Sequence, residues 1–197
     1  MQPTLDPTLN MLSLLNPLLW LEDHRLYDFI SSVDGLQPHF CISWILTWCA
    51  HDVPDYAIAT RLFDLFLTSN PLMPLYVVAA RMLIEKERIM DEDPDDFPIL
   101  HSMLSAFPKA LDLEELLATA KRLYLCHPPK KLQKRAKNYL GQSSCVNQCK
   151  DAHPVIKTAT KHVALLTSWP SLGLLAASFL VLLLSLWWPS IDLHRLI

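Results

Sequence analysis

Phe40-Cys41-Ile42-Ser43-Trp44-Ile45-Leu46-Thr47-Trp48-Cys49-Ala50 holds eight bulky apolar or sulfur-bearing side chains in eleven positions and no charge. A helix that is apolar on every side persists only where other helices surround it, so these residues are expected at the centre of a helical core. Eleven residues are too few to cross a bilayer.

Outward from that centre the chain reads as helix in both directions. Toward the N-terminus, Leu9, Leu12, Leu15 and Leu19 recur three to four apart and predict one helix over residues 6–20. A shorter one over residues 23–33 carries Leu26, Phe29, Ile30 and Val33 as its stripe and stops at Asp34-Gly35. Toward the C-terminus, Asp55 is placed to cap a helix running to Leu67, with Ile58, Leu62, Leu65 and Phe66 facing inward and Asn70-Pro71 as its end. A long helix over residues 74–90 begins with Pro74, where a missing N–H costs nothing. After the acidic loop 91–96, helices over 97–107 and 113–125 follow, the second opened by Asp112 with Glu115 three residues on. With 3 Gly against 15 Pro, and abundant Leu, Ala and Met, an all-α body of seven helices follows for residues 1–126.

Charge divides the chain. Residues 1–126 carry 8 Lys+Arg and 18 Asp+Glu, a balance of -10, whereas 127–162 carry 8 Lys+Arg and one Asp, a balance of +7. The acidic body argues against nucleic acid as a partner, and the basic stretch 127–162, in which Pro128-Pro129 breaks the chain and residues 130–139 can form a short basic helix, reads as a linker whose cations suit anionic lipid. Five cysteines, an odd number spread through helical patterns, read as reduced cytosolic thiols.

Residues 163–191 contain no acidic or basic side chain, and within them 171–188 hold eight Leu with Phe179 and Val181. Eighteen helical residues span about 27 Å, the hydrocarbon depth of a thin bilayer such as that of the endoplasmic reticulum. Ten large apolar residues favour insertion by about 3–6 kcal/mol. Leu172, Leu175, Phe179 and Leu183 are expected to face lipid, with Trp187 and Trp188 in the interfacial belt. Lys150, Lys157 and Lys161 precede the span and only Arg195 follows it, which keeps the body cytosolic and leaves 192–197 as a short luminal tail. Nine residues after the span imply post-translational insertion as a tail anchor. One span whose polar residues are few offers no ion pathway.

The run Ser43-Trp44-Ile45-Leu46-Thr47-Trp48, followed after a loop by Arg61-Leu62-Phe63-Asp64-Leu65-Phe66-Leu67, resembles the third signature block of the TBC domain, the all-helical module of Rab GTPase-activating proteins. Residues 1–6, residues 70–76 and the apolar tail are similar to the tail-anchored branch of that family, which acts on Rabs of the early secretory pathway. The resemblance covers roughly residues 1–130 plus the anchor. It implies a half-TBC domain, a Rab-type small GTPase as partner, and a site at the endoplasmic reticulum. In such proteins an Arg from an IxxDxxR block and a Gln from a YxQG block act in trans on GTP hydrolysis. Neither block occurs in this chain, so the resemblance implies no catalytic residue here, and Arg25 and Arg61 are not substitutes. Trp44, Trp48, Arg61, Leu62, Phe63 and Asp64 are expected to act in packing. The competing expectation is a non-catalytic membrane adaptor that binds a GTPase or another partner.

Other constellations are weaker. Cys145, Cys149 and His153 would share a helix face, but a fourth zinc ligand is not evident, so no metal or other cofactor is expected. His51 and Asp52 lack a nucleophile placed with them and read as loop polarity, and the acidic residues 91–96 read as solvated.

Overall fold

The computed structural model describes residues 5–108, 112–142 and 144–149. Among them are eleven α-helices, one 3₁₀ turn and no strand. The order is α1 (Asp6–Leu12), α2 (Leu15–Glu22), α3 (His24–Ser32), the 3₁₀ turn (Pro38–Cys41), α4 (Ile42–Thr47), α5 (Tyr56–Leu67), α6 (Met73–Ile84), α7 (Lys86–Met90), α8 (Phe97–Ser105), α9 (Leu113–Cys126), α10 (Pro129–Ala136) and α11 (Cys145–Gln148). The apolar stretch 163–191, with Leu172, Leu175, Phe179, Leu183, Trp187 and Trp188, lies outside the described residues.

The helix at the centre is α6. Ten consecutive residues from Met73 to Met82 are buried, and all but Arg81 and the hydroxyl of Tyr76 are apolar, as a helix surrounded by others requires. Its most extensive neighbour is α9, with α2, α4 and α5 around it. The segment 40–50, expected there as one helix, instead folds as the 3₁₀ turn followed by the six residues of α4. Trp48 and Cys49 adopt left-handed backbone (φ 53° and 64°), which ends the helix, and Leu46 is exposed. Trp44, Ile45, Cys41 and Cys49 still reach the core.

Two expected helices are each divided. Pro17 cannot donate to the carbonyl of Ser13 and its ring crowds that position, so residues 6–20 break at Ser13 and Leu14 into α1 and α2. The leucine register survives the break: Leu12, Leu14, Leu15, Leu18 and Leu19 are all buried. The long helix 74–90 bends at Glu85 (φ -91°, ψ 16°), whose carboxylate meets Arg81 on one side and Arg88 on the other. Capping follows the sequence closely. Asp23, Asp55, Asp96 and Asp112 each accept from backbone N–H groups at the start of α3, α5, α8 and α9.

Residues 127–142 and 144–149, expected as linker with a short helix over 130–139, pack as helix and turn on the same body. Pro129, Leu132 and Gln133 of α10 are buried, and α10 rests on α2. Gln133 is satisfied inside: its Nε2 donates to Asn147 (2.9 Å) and its Oε1 accepts the N–H of Leu140 (2.9 Å). Asn70 donates to the carbonyl of Val146 (3.2 Å) and accepts the N–H of Leu72 (3.0 Å), joining α11 to the start of α6.

Burial also determines how the fold meets alkali. It pushes the thiols of Cys41 and Cys49 from 9.0 up to about 12, and it raises the Tyr76 phenol as well. In each case the folded state holds the proton more tightly, so the stabilisation is complete below pH 9 and is lost as pH rises toward 12. Urea midpoints measured from pH 8 to pH 12 are expected to fall steeply, and the double variant C41A/C49A is expected to give a shallower slope. Identical slopes would contradict the assignment.

Candidate functional site

Arg81 lies inside α6 at 2% exposure, the one cation among its twelve residues. A guanidinium keeps its charge and carries five donors, so burial is tolerable only where acceptors converge on it. The C-terminus of α8 supplies them. The last four carbonyls of a helix have no intrahelical partner. In α8, Ser102 O accepts the N–H of Ala106 (3.1 Å), and Met103 O and Leu104 O accept from Arg81 Nη2 (2.6 Å) and Nη1 (3.3 Å). Ser105 O accepts from Trp44 Nε1 (3.0 Å). All four are satisfied, two of them by a cation at the negative end of the helix dipole.

Glu85 completes the balance. Its Oε2 stands 2.6 Å from Arg81 Nε in a charge contact without hydrogen-bond alignment, and its Oε1 accepts from Arg88 (2.9 Å). Burial pulls the Arg81 pKa down and the Glu85 carboxylate opposes that pull. The guanidinium carbon lies 6.0 Å from the centroid of the Trp44 ring, which packs on Phe107 at 5.3 Å.

Over this pair opens a groove of about 890 Å³. Its apolar floor comes from Ile84, Ile99, Met103 and Phe107, and its charged edge from Glu85, Arg88 and Glu92. With the Arg81 charge consumed by α8 and Glu85, the groove presents shape and apolar area, the attributes of a binding surface.

The residues singled out from the sequence separate into two sets. Trp44, Leu62 and Phe66 are buried, and Trp48 packs on Phe63 (5.6 Å) and Phe66 (5.9 Å), so that part of the block forms a seam between α4 and α5. Arg61 and Asp64 are exposed. Arg61 was expected in packing; it sits on the outer face of α5 and pairs with Glu114 through Nε (3.1 Å) and Nη2 (3.4 Å). Asp52 accepts from Ser43 (2.8 Å), which fastens the loop after α4 and gives Asp52 a structural partner. Arg81 was missed, although a lone Arg in the apolar run 72–84 is the kind of signal that marks a buried, paired charge.

The two arginines predict contrasting variants. Arg81→Met leaves two carbonyls and the Glu85 carboxylate without their cation, at an expected cost of about 3–5 kcal/mol. Arg61→Ala breaks an exposed pair and is expected to cost under about 1 kcal/mol. Urea titration followed by tryptophan fluorescence compares them directly, and equal losses would refute the distinction.

Residues 1–90, from the start of the chain through α7, match the Rab-GTPase-TBC domain. The chain is similar to TBC1 domain family member 20 of Homo sapiens and of Bos taurus, each 35% identical over 136 residues, which cover 69% of this chain and 33% of the relative. It is also similar to GTPase-activating protein gyp10 of Schizosaccharomyces pombe, 35% identical over 119 residues, 59% of this chain and 32% of that protein. The chain thus spans about a third of the length of the curated relatives it matches. The buried Trp44 and the α4–α5 seam lie within the matched region, and this chain therefore carries, over residues 1–90, part of a Rab-GTPase-TBC domain.

Proposed function

We propose that this chain is a membrane-anchored member of the Rab GTPase-activating lineage that engages a Rab-type GTPase on the cytosolic face of the endoplasmic reticulum without accelerating hydrolysis by itself. The observation that carries the reading is the conjunction of the matched region with the absence from the 197 residues of both an IxxDxxR and a YxQG block. Arginine fingers supply 10³–10⁵ in rate by meeting charge that develops on the transferring phosphoryl group. Arg81 is unsuited to that task because its charge is already met by α8 and Glu85. Arg61 and Arg88 rest on carboxylates.

Support for the membrane comes from the 29 uncharged residues 163–191, long enough to cross a thin bilayer. The lysines on the N-terminal side of that stretch favour a cytosolic body.

The full chain in lipid nanodiscs, mixed with GTP-loaded Rab proteins, is expected to bind one or more of them and to leave the hydrolysis rate at its intrinsic value. A rate above the intrinsic one overturns the non-catalytic reading, and failure to bind any Rab overturns the partner. In cells the chain is expected to resist alkaline extraction from endoplasmic reticulum membranes; recovery in the soluble fraction overturns the anchor.

A further inference from the structure

Five cations that pair with no carboxylate are gathered on one short helix and its C-cap, whereas the other two such cations among the described residues, Arg25 and Lys121, lie on α3 and α9. Among the described residues, Arg61, Arg81, Lys86, Arg88 and Arg122 each pair with a carboxylate. Lys130, Lys131, Lys134, Arg135 and Lys137 pair with none, although the body around them is strongly acidic. They are exposed together on α10 and its C-cap, on the side opposite Pro129, Leu132 and Gln133, which are buried in the body. Lys131 donates only to the backbone carbonyl of Cys126 (3.1 Å), and Arg135 approaches Nδ1 of His127 at 3.5 Å.

The face is held in place. Gln133, Leu140 and Asn147 lock the turn after α10, and Asn138 donates to Ser13 (2.6 Å). Leu125 and Tyr139, 64% and 68% exposed, flank the basic residues in the chain. Aromatic and aliphatic side chains beside lysines are the composition that settles at a lipid headgroup layer.

We propose that α10 is a membrane-docking platform: its row of five cations lies against anionic lipid and fixes how the helical body is presented to the bilayer. The inference rests on the anchored reading above. The uncharged stretch 171–188 begins 22 residues after Cys149, a covalent reach of at most roughly 75 Å, so an anchored chain keeps α10 within range of the surface. Tethering makes docking intramolecular, and contacts too weak to hold a free protein then suffice. Each cation near an anionic surface contributes enough to change such an equilibrium about fivefold.

The test reconstitutes the full chain into nanodiscs of phosphatidylcholine alone and of phosphatidylcholine with phosphatidylserine, and follows amide hydrogen exchange. Residues 129–139 are expected to gain protection on phosphatidylserine, to lose it at high salt, and to lose roughly a hundredfold of it in the variant K130Q/K134Q/K137Q. Protection of α6 should be unchanged, which certifies that the variant is folded. Equal exchange of 129–139 in both discs overturns the platform, as does salt-sensitive binding of an RNA oligomer without any response to phosphatidylserine. Retention on pure phosphatidylcholine at high salt reports the anchor separately. A chain that is not retained there refutes the anchor, and its phosphatidylserine-dependent binding, present or absent, still decides the platform.

Discussion

A guanidinium enclosed by a helix that water does not reach has to be neutralised from within the protein, and for Arg81 three elements converge to do it. The apolar circumference of α6 draws α2, α4, α5 and α9 around it, and that burial leaves the Arg81 charge without solvent. The end of α8, the bend at Glu85 and the indole of Trp44 are placed by the same requirement, since each supplies or orients a partner for one polar group. The groove above Arg81 is a by-product of this arrangement. Carbonyls at the end of α8 meet Arg81 of α6, and Ile84 from one helix with Ile99 and Met103 from the other line the opening between them.

A second set of contacts joins the two ends of the body. Glu22, at the end of α2, accepts from Arg122 (2.8 Å) and contacts Nε2 of His127 (2.6 Å), residues about a hundred positions away. Tyr76 donates from the first turn of α6 to the carbonyl of the same His127 (2.5 Å), and its ring meets Tyr124 edge-on at 5.5 Å. Three helices are thereby fixed to the short connection between α9 and α10, so residues beyond the region matched to the TBC domain are part of the same packed structure.

The parts of the fold legible in the sequence are those set by local chemistry. Asp55 and Asp112 announce helix starts because a short carboxylate reaches the N–H two residues on, and that requirement does not depend on tertiary context. The stripe Leu26, Ile30 and Val33 needs only a period of 3.6. Periodicity is silent about the break before α2, because the two short helices keep the leucine register; only Pro17 carries that signal. It is equally silent about which of two predominantly apolar segments occupies the centre. Residues 40–50 and 72–84 look alike in composition, and the left-handed pair Trp48 and Cys49, which decides between them, belongs to residue types that give no local warning of positive φ. The site was less legible than the fold. Arg81 is visible as an anomaly in an apolar run, whereas the groove depends on where α8 ends in space.

The long-range tie through His127 carries a consequence for how the chain is made. α2 and α6 are synthesised before residue 127, so during synthesis Glu22 waits for both of its partners and the phenol of Tyr76 waits for its acceptor. Helices α2 and α3, adjacent in the chain, can pair early, but closure of the body is deferred until α9 and the start of α10 have emerged. A message cut short between residues 90 and 127 yields every helix of the matched region and still leaves Glu22 and Tyr76 without their partners.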